Sequence, residues 1–177
     1  MRVVNNLGHF QRKCPLTLGE QLTDKALSGE PGWELFDAPA LVGETLRFVS
    51  GDQTGNRFRM QYFRDRQSHL VARVWFGPVT EGPPDHAHGG SIAAVLDEVL
   101  GLAAWAAGHR VVVGNLNVSF RNLLPIKTVV QVNTRIVSVQ GRKVRVQGDV
   151  CSLDGTIYAT GDCLCIKIKP QSLENNC

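Results

Sequence analysis

Lysine and arginine never gather into a block in this chain, and the formal net charge is only +3. That absence excludes the basic groove of a nucleic-acid binder, while a small anionic ligand stays compatible with the bias. No apolar run is pure enough to span a bilayer. The one stretch of sufficient length, from His88 to Gly108, is interrupted by Gly89, Gly90, Ser91, Asp97, Glu98 and Gly101. Neither nucleic acid nor membrane is therefore an expected partner. Internal repeats and low-complexity linkers are missing as well, which excludes a solenoid or a string of modules. A secretory signal is lacking, and the five cysteines are an odd number. A reduced intracellular chain follows, cytoplasmic by expectation. The first 19 residues hold Arg2, Arg12 and Lys13 and no acid, but a transit peptide to the mitochondrial matrix would be richer in arginine and serine.

Metal chemistry lacks its parts too. Cys163-x-Cys165 has no second ligand pair at zinc spacing. Two positions apart on a strand, both thiols face the same way, as structural side chains would. Asp85, His86 and His88 also find no further ligands nearby in the sequence. No metal and no cofactor are expected.

What is there suits one globular domain. The chain has 177 residues, 43% of them hydrophobic. A chain of that size buries roughly 70% of its unfolded surface and needs no staples. Residues 1–55 read as an N-terminal extension in which Thr17 to Leu27 could form a short helix, with Thr17 and Glu20 as a capping box. Residues 56–170 read as the main domain. Phe58, Met60 and Tyr62 alternate with polar neighbours as in a strand, and Leu70 to Phe76 is a second strand. Gly77-Pro78 and Gly82-Pro83-Pro84 form a loop. A helix runs from His88 to Gly108, which is suited to its C-terminal cap. Strands follow at 111–120, 128–140, 143–152 and 156–168, with hairpins at Gly141-Arg142 and Asp154-Gly155. One apolar helix among antiparallel strands needs a sheet wrapped around it, so the expected class is α+β.

On a wheel of about 100° per residue, Ile92, Val95, Leu96, Val99, Leu100, Leu102, Ala103 and Ala106 share one broad apolar arc. Asp97 falls outside that arc, beside Ala93, Ala94, Gly101 and Ala104. Small residues there permit close approach of another backbone or a ligand, so Asp97 is placed on a contact surface. Glu98 lies further round and reads as a surface residue. On the strand after the helix, Val112, Leu116, Val118 and Phe120 point one way, with Gly114 among them. Asn115, Asn117, Ser119 and Arg121 point the other way. That polar row is either solvated sheet or a channel for a phosphate-bearing ligand, which arginine suits.

Gly89 opens the helix, where backbone N–H groups are bare and attract negative charge. A donor cluster and a placed carboxylate are two parts that acyl transfer needs. Yet Gly89 and Asp97 are eight positions apart, about 12 Å along a helix axis. One thioester cannot readily meet both in the same chain. If both act on it, a symmetric pair of chains must build two sites, each from both subunits.

The run His88-Gly89-Gly90, the acid nine residues after the histidine, the small-residue helix and Asn115-Leu116-Asn117 together resemble the hotdog-fold acyl-CoA thioesterases. The likeness is greatest to the branch of phenylacetate-pathway thioesterases and thioesterase superfamily members. It covers residues 55–168. The resemblance implies an antiparallel sheet around a central helix and an acyl-CoA thioesterase that acts as a homodimer, with a homotetramer as a further arrangement. It implies Asp97 as catalytic carboxylate, either general base or nucleophile. The Gly89 N–H would polarise the carbonyl, with His88 and Gly90 shaping the turn. Asn115 belongs to the matched strand motif. Ser119 and Arg121 match positions that contact CoA, and Arg142 in the hairpin would bind phosphate. Two departures stand out. Some members carry threonine where Val113 stands, and Asn122 follows Arg121 where proline is common. A non-catalytic acyl-CoA-binding hotdog dimer is the alternative, since losing a water-positioning hydroxyl affects chemistry more than binding. No Asp/His pair at hydratase spacing is found.

Overall fold

A computed structural model describes residues 24–39, 48–52 and 54–168. The expected Thr17 cap lies outside the described residues. Only a 3-10 turn, Asp24–Leu27, represents that segment. Seven strands follow in chain order with one helix among them. They are β1 (Glu34–Leu35), β2 (Phe58–Arg64), β3 (Leu70–Phe76), α1 (Gly89–Ala106), β4 (Val111–Phe120), β5 (Thr128–Gln140), β6 (Lys143–Cys151) and β7 (Ile157–Lys167). They form one antiparallel sheet in the order β1-β2-β3-β5-β6-β7-β4. This is the helix-in-sheet architecture expected of a hotdog fold. The helix carries the chain from β3 across the sheet, so β4 joins β7 at the far edge, and among the described residues no strand lies on its other side.

Val95, Leu96, Val99 and Leu100 are wholly buried against Val74, Val130, Val132, Val144 and Val146. The helix approaches the sheet at Gly148 and Gly161, which are register partners on β6 and β7. One methyl of Leu100 lies over each. A Cβ on Gly148 would sit 2.8 Å from Leu100 Cδ2, and one on Gly161 would sit 3.0 Å from Leu100 Cδ1. Glycine on a strand marks such a close approach.

Both helix ends follow from the sequence. His88 caps the start. At the other end Gly108 has φ +84°, and the N–H groups of Gly108 and His109 bond the carbonyls of Trp105 and Ala104. That pairing is a Schellman motif, for which glycine is suited. Arg64 also donates to the Ala106 carbonyl at 2.8 Å.

Three expectations are corrected. Ala104 is buried, although the wheel puts it beside Asp97 outside the core, because the sheet wraps more of the helix than the arc allowed. Leu102 and Ala106 are only partly buried at the margin. Val112 does not share a face with Leu116 and Val118. A bulge between Val113 and Asn115 inserts Gly114 and reverses the alternation, so Val112 is 48% exposed while Val111 is buried.

The described part of residues 1–55 is fastened to the sheet and to the core, where Val49 is buried and Phe36 and Ala38 pack against the cluster. Leu27 is buried, Glu30 pairs with Arg73 at 3.0 Å, and β1 pairs with β2. Cys163 and Cys165 both face the core with their Sγ atoms 3.3 Å apart. Their mutual hydrogen bond and burial hold the Cys163 thiol protonated, well above its usual range.

Candidate active site

The loop before α1 is pinned on three sides. The His88 N–H bonds the Thr80 carbonyl at 2.7 Å, the Ala87 N–H bonds Leu124 at 2.8 Å, and the Gly82 N–H bonds His86 at 2.9 Å. His88 has extended backbone, ψ 137°, and its ring Nδ1 accepts from the Gly90 N–H at 2.9 Å. That nitrogen therefore carries no proton. The His88 carbonyl accepts from the N–H groups of Ser91 and Ile92 and from the Ser91 hydroxyl. Every α-helix begins with four N–H groups that lack intrahelical partners. Here those of Gly90 and Ser91 are bonded by His88, and that of His88 itself by the Thr80 carbonyl. Among the described residues the Gly89 N–H has no hydrogen-bond partner.

Crowding explains the glycines. A Cβ on Gly90 would lie 2.9 Å from His88 Nδ1, and one on Gly82 would lie 2.7 Å from His88 Cα. At Gly89 the Phe120 ring tip would be 3.2 Å away.

Asp97 stands on the flank of α1 that faces the open edge. A Cβ on Gly101, one turn on, would lie 3.4 Å from Val113 Cγ2 of β4. Asp97 is exposed in a single chain. Enough protein still crowds its carboxyl that burial, and secondly the Glu98 charge, raises its pKa above the ordinary carboxylate value. Glu98 corrects the sequence expectation. It is only half-exposed and accepts a 2.6 Å hydrogen bond from the Tyr62 hydroxyl on β2. A strand tyrosine facing the core needs such a partner, which is the signal that could have found it. The two adjacent acids thus point about 100° apart around the helix, one toward β4 and the other toward Tyr62.

The remaining sequence-predicted residues do not gather in one chain. Arg121 follows Phe120 at the Gly89 end of β4. Arg142 lies at the opposite end, bonded to the Lys167 carbonyl, and Lys167 pairs with Val111. About 30 Å of strand separates those ends. Asn115 and Ser119 face outward, away from the helix, as does Asn117, which donates to the Asn115 Oδ1 at 2.9 Å. Asn117 and Ser119 border an open groove of about 440 Å³ with Asp149, Thr160 and Asp162. Asp162 is held below the usual carboxylate range by Arg145 and then Gln147. Among the described residues no three His, Cys, Asp or Glu side chains are grouped to hold a metal. His86 Nδ1 lies 2.7 Å from the Pro84 carbonyl.

A family model described as the thioesterase superfamily matches residues 85–159. The chain is 31% identical to acyl-coenzyme A thioesterase THEM4 of Bos taurus over 132 residues, 73% of this chain and 54% of that one. It is 31% identical to acyl-coenzyme A thioesterase THEM5 of Mus musculus over 175 residues, 96% of this chain and 64% of that one. The chain thus spans about half the length of the bovine relative and less than two thirds of the mouse one. The crystal structure of a thioesterase superfamily protein superposes with a TM-score of 0.57 at 26% identity, covering 60% of this chain and 55% of that chain.

Proposed function

From the premise that this chain belongs to the hotdog-fold thioesterase superfamily, we propose that it hydrolyses acyl-coenzyme A to a free acid and CoA in a site shared by two copies. The observation that carries this reading is the single free donor at Gly89, set about two helical turns from a carboxyl whose pKa is raised. Asp97, ionised, takes a proton from water as the oxygen attacks the thioester carbon. The carbonyl oxygen becomes an oxyanion on the Gly89 N–H. The C–S bond then breaks, CoA leaves as thiolate, and the proton passes to sulfur. A nucleophilic Asp97 would form an anhydride that water opens, with the same products.

The open edge of β4 supports the shared site. A ten-residue edge strand, paired with β7 on one side and with no strand on the other among the described residues, is a template for pairing with a second copy. Antiparallel pairing along β4 brings the Phe120 end of one strand toward the Val113 end of the other. Phe120 lies against Gly89 and Val113 against the Asp97 flank, so Gly89 approaches the partner's Asp97. Such a dimer also brings Arg121 of one chain toward the Arg142 end of the other.

Subunit mixing tests this. Gly89→Pro removes the donor and keeps the turn, because proline suits the first helical position and His88 already has the extended backbone that precedes proline; its Cβ would also press the exposed Phe120 ring tip, 3.2 Å away, which must give slightly. Random exchange of this variant with Asp97→Asn makes half the dimers mixed, each with one intact site. About one quarter of wild-type activity should return. No recovery after proven exchange would place the whole site in one chain.

The pH profile is a second test. The base works only when ionised, so kcat/KM rises with pH through the Asp97 pKa. That rise is expected above the range of an ordinary carboxylate, and an acid limb at the ordinary value would count against Asp97. Tight acyl-CoA binding with no thiol release at any pH would favour the binding dimer instead.

A further inference from the structure

We propose that Phe120 sets acyl-group selectivity by walling the carbons next to the thioester carbonyl, an inference that rests on the hydrolase reading above. The ring tip lies 3.2 Å from where a Gly89 Cβ would stand, and two further ring atoms lie within 3.7 Å. Standard bond lengths then put the ring tip within about 6 Å of the Gly89 nitrogen. A carbonyl held by that N–H leaves its carbon and the next one or two acyl carbons within van der Waals reach of the ring.

The rest of the ring is open, and Phe120 is 54% exposed. Leu116 and Val118, on the same face of β4, pack against the core, but Phe120 extends to the first turn of α1 where the helix ends. Ser119 and Arg121 alternate to the other face. Polar and apolar recognition are thereby split across one strand end. Carbon chains suit the ring. The pantetheine arm reaches an amide within a few bonds of sulfur and needs polar partners.

The test measures kcat/KM over straight-chain acyl-CoAs from two to sixteen carbons for wild type, Phe120→Leu, Phe120→Ala and Phe120→Trp, with thermal unfolding of each. Phe120→Ala should lower kcat/KM for medium and long chains by about tenfold relative to acetyl-CoA. Phe120→Leu should fall between it and wild type. Phe120→Trp should penalise long or branched acyl groups. Equal changes for every acyl group would assign the ring to the CoA arm or to packing and overturn the proposal. Unchanged selectivity would overturn it also. The leucine variant keeps most of the buried volume and answers the question even if the alanine variant is unstable. Wild-type protein that hydrolyses no acyl-CoA would remove the hydrolase reading itself, a result distinct from active enzyme with unaltered selectivity.

Discussion

Asp97→Asn is expected to lower kcat for acyl-CoA hydrolysis by about 10²–10⁴-fold, the usual contribution of a positioned base. Asparagine keeps the shape and hydrogen-bonding size of the side chain but cannot take the proton. KM should change little, because no binding group is lost. The fold should survive, and the sign of the pKa shift says more. The folded state holds the Asp97 proton more tightly than the unfolded chain does. Its contribution to stability is therefore present below the unfolded pKa and lost as pH rises through the folded one. At neutral pH the ionised carboxyl opposes folding, so Asp97→Asn should unfold at the same or a higher temperature than wild type. Thiol release over pH, alongside thermal unfolding at neutral pH, measures both. A variant that retains more than a tenth of wild-type kcat would sink the assignment of Asp97 as the catalytic carboxylate.

Gly148→Ala should be the most damaging small substitution in the sheet, lowering stability by about 3 kcal/mol. For a domain of this size that is a Tm lowered by about 6–12 °C. The added methyl would strike the Asn133 carbonyl oxygen on β5, which is backbone and cannot swing aside, and also Leu100 Cδ2 at 2.8 Å. Gly161→Ala provides the contrast. Its methyl would meet only the side-chain ends of Leu100 and Leu96, at 3.0 Å and beyond. Those can shift, and a loss of about 1 kcal/mol is expected. Urea denaturation of the pair measures the difference. Equal losses would show that helix approach, and not the β5 carbonyl, sets the requirement for glycine.

The fold was legible because its signals are local. β3, β4 and β5 occupy the residues where alternation and turn signals set them. The hairpin glycines Gly141 and Gly155 adopt the positive φ that such turns require. Gly108 closes the helix as a glycine after the last apolar turn should. The errors arose where a local rule met a non-local fact. Alternation along β4 assumed an unbroken ladder, and one inserted glycine reversed it. The wheel treated the helix as half-wrapped, and the curved sheet buried Ala104 as well. Glu98 was read as a solvated side chain because its partner, Tyr62, is 36 residues away.

The site divides in the same way. Sequence alone determined the His88-Gly89-Gly90 turn, the Asp97 carboxyl and their separation of about 12 Å, because helix geometry depends only on counting residues. It could not tell which N–H at the helix start stays free. That was decided when the His88 ring and carbonyl took those of Gly90 and Ser91, and the Thr80 carbonyl took that of His88. Nor could it tell that Phe120 would lie against Gly89 or that β4 would end, among the described residues, as an open edge. Those are consequences of strand order, and strand order depends on which distant segments pair.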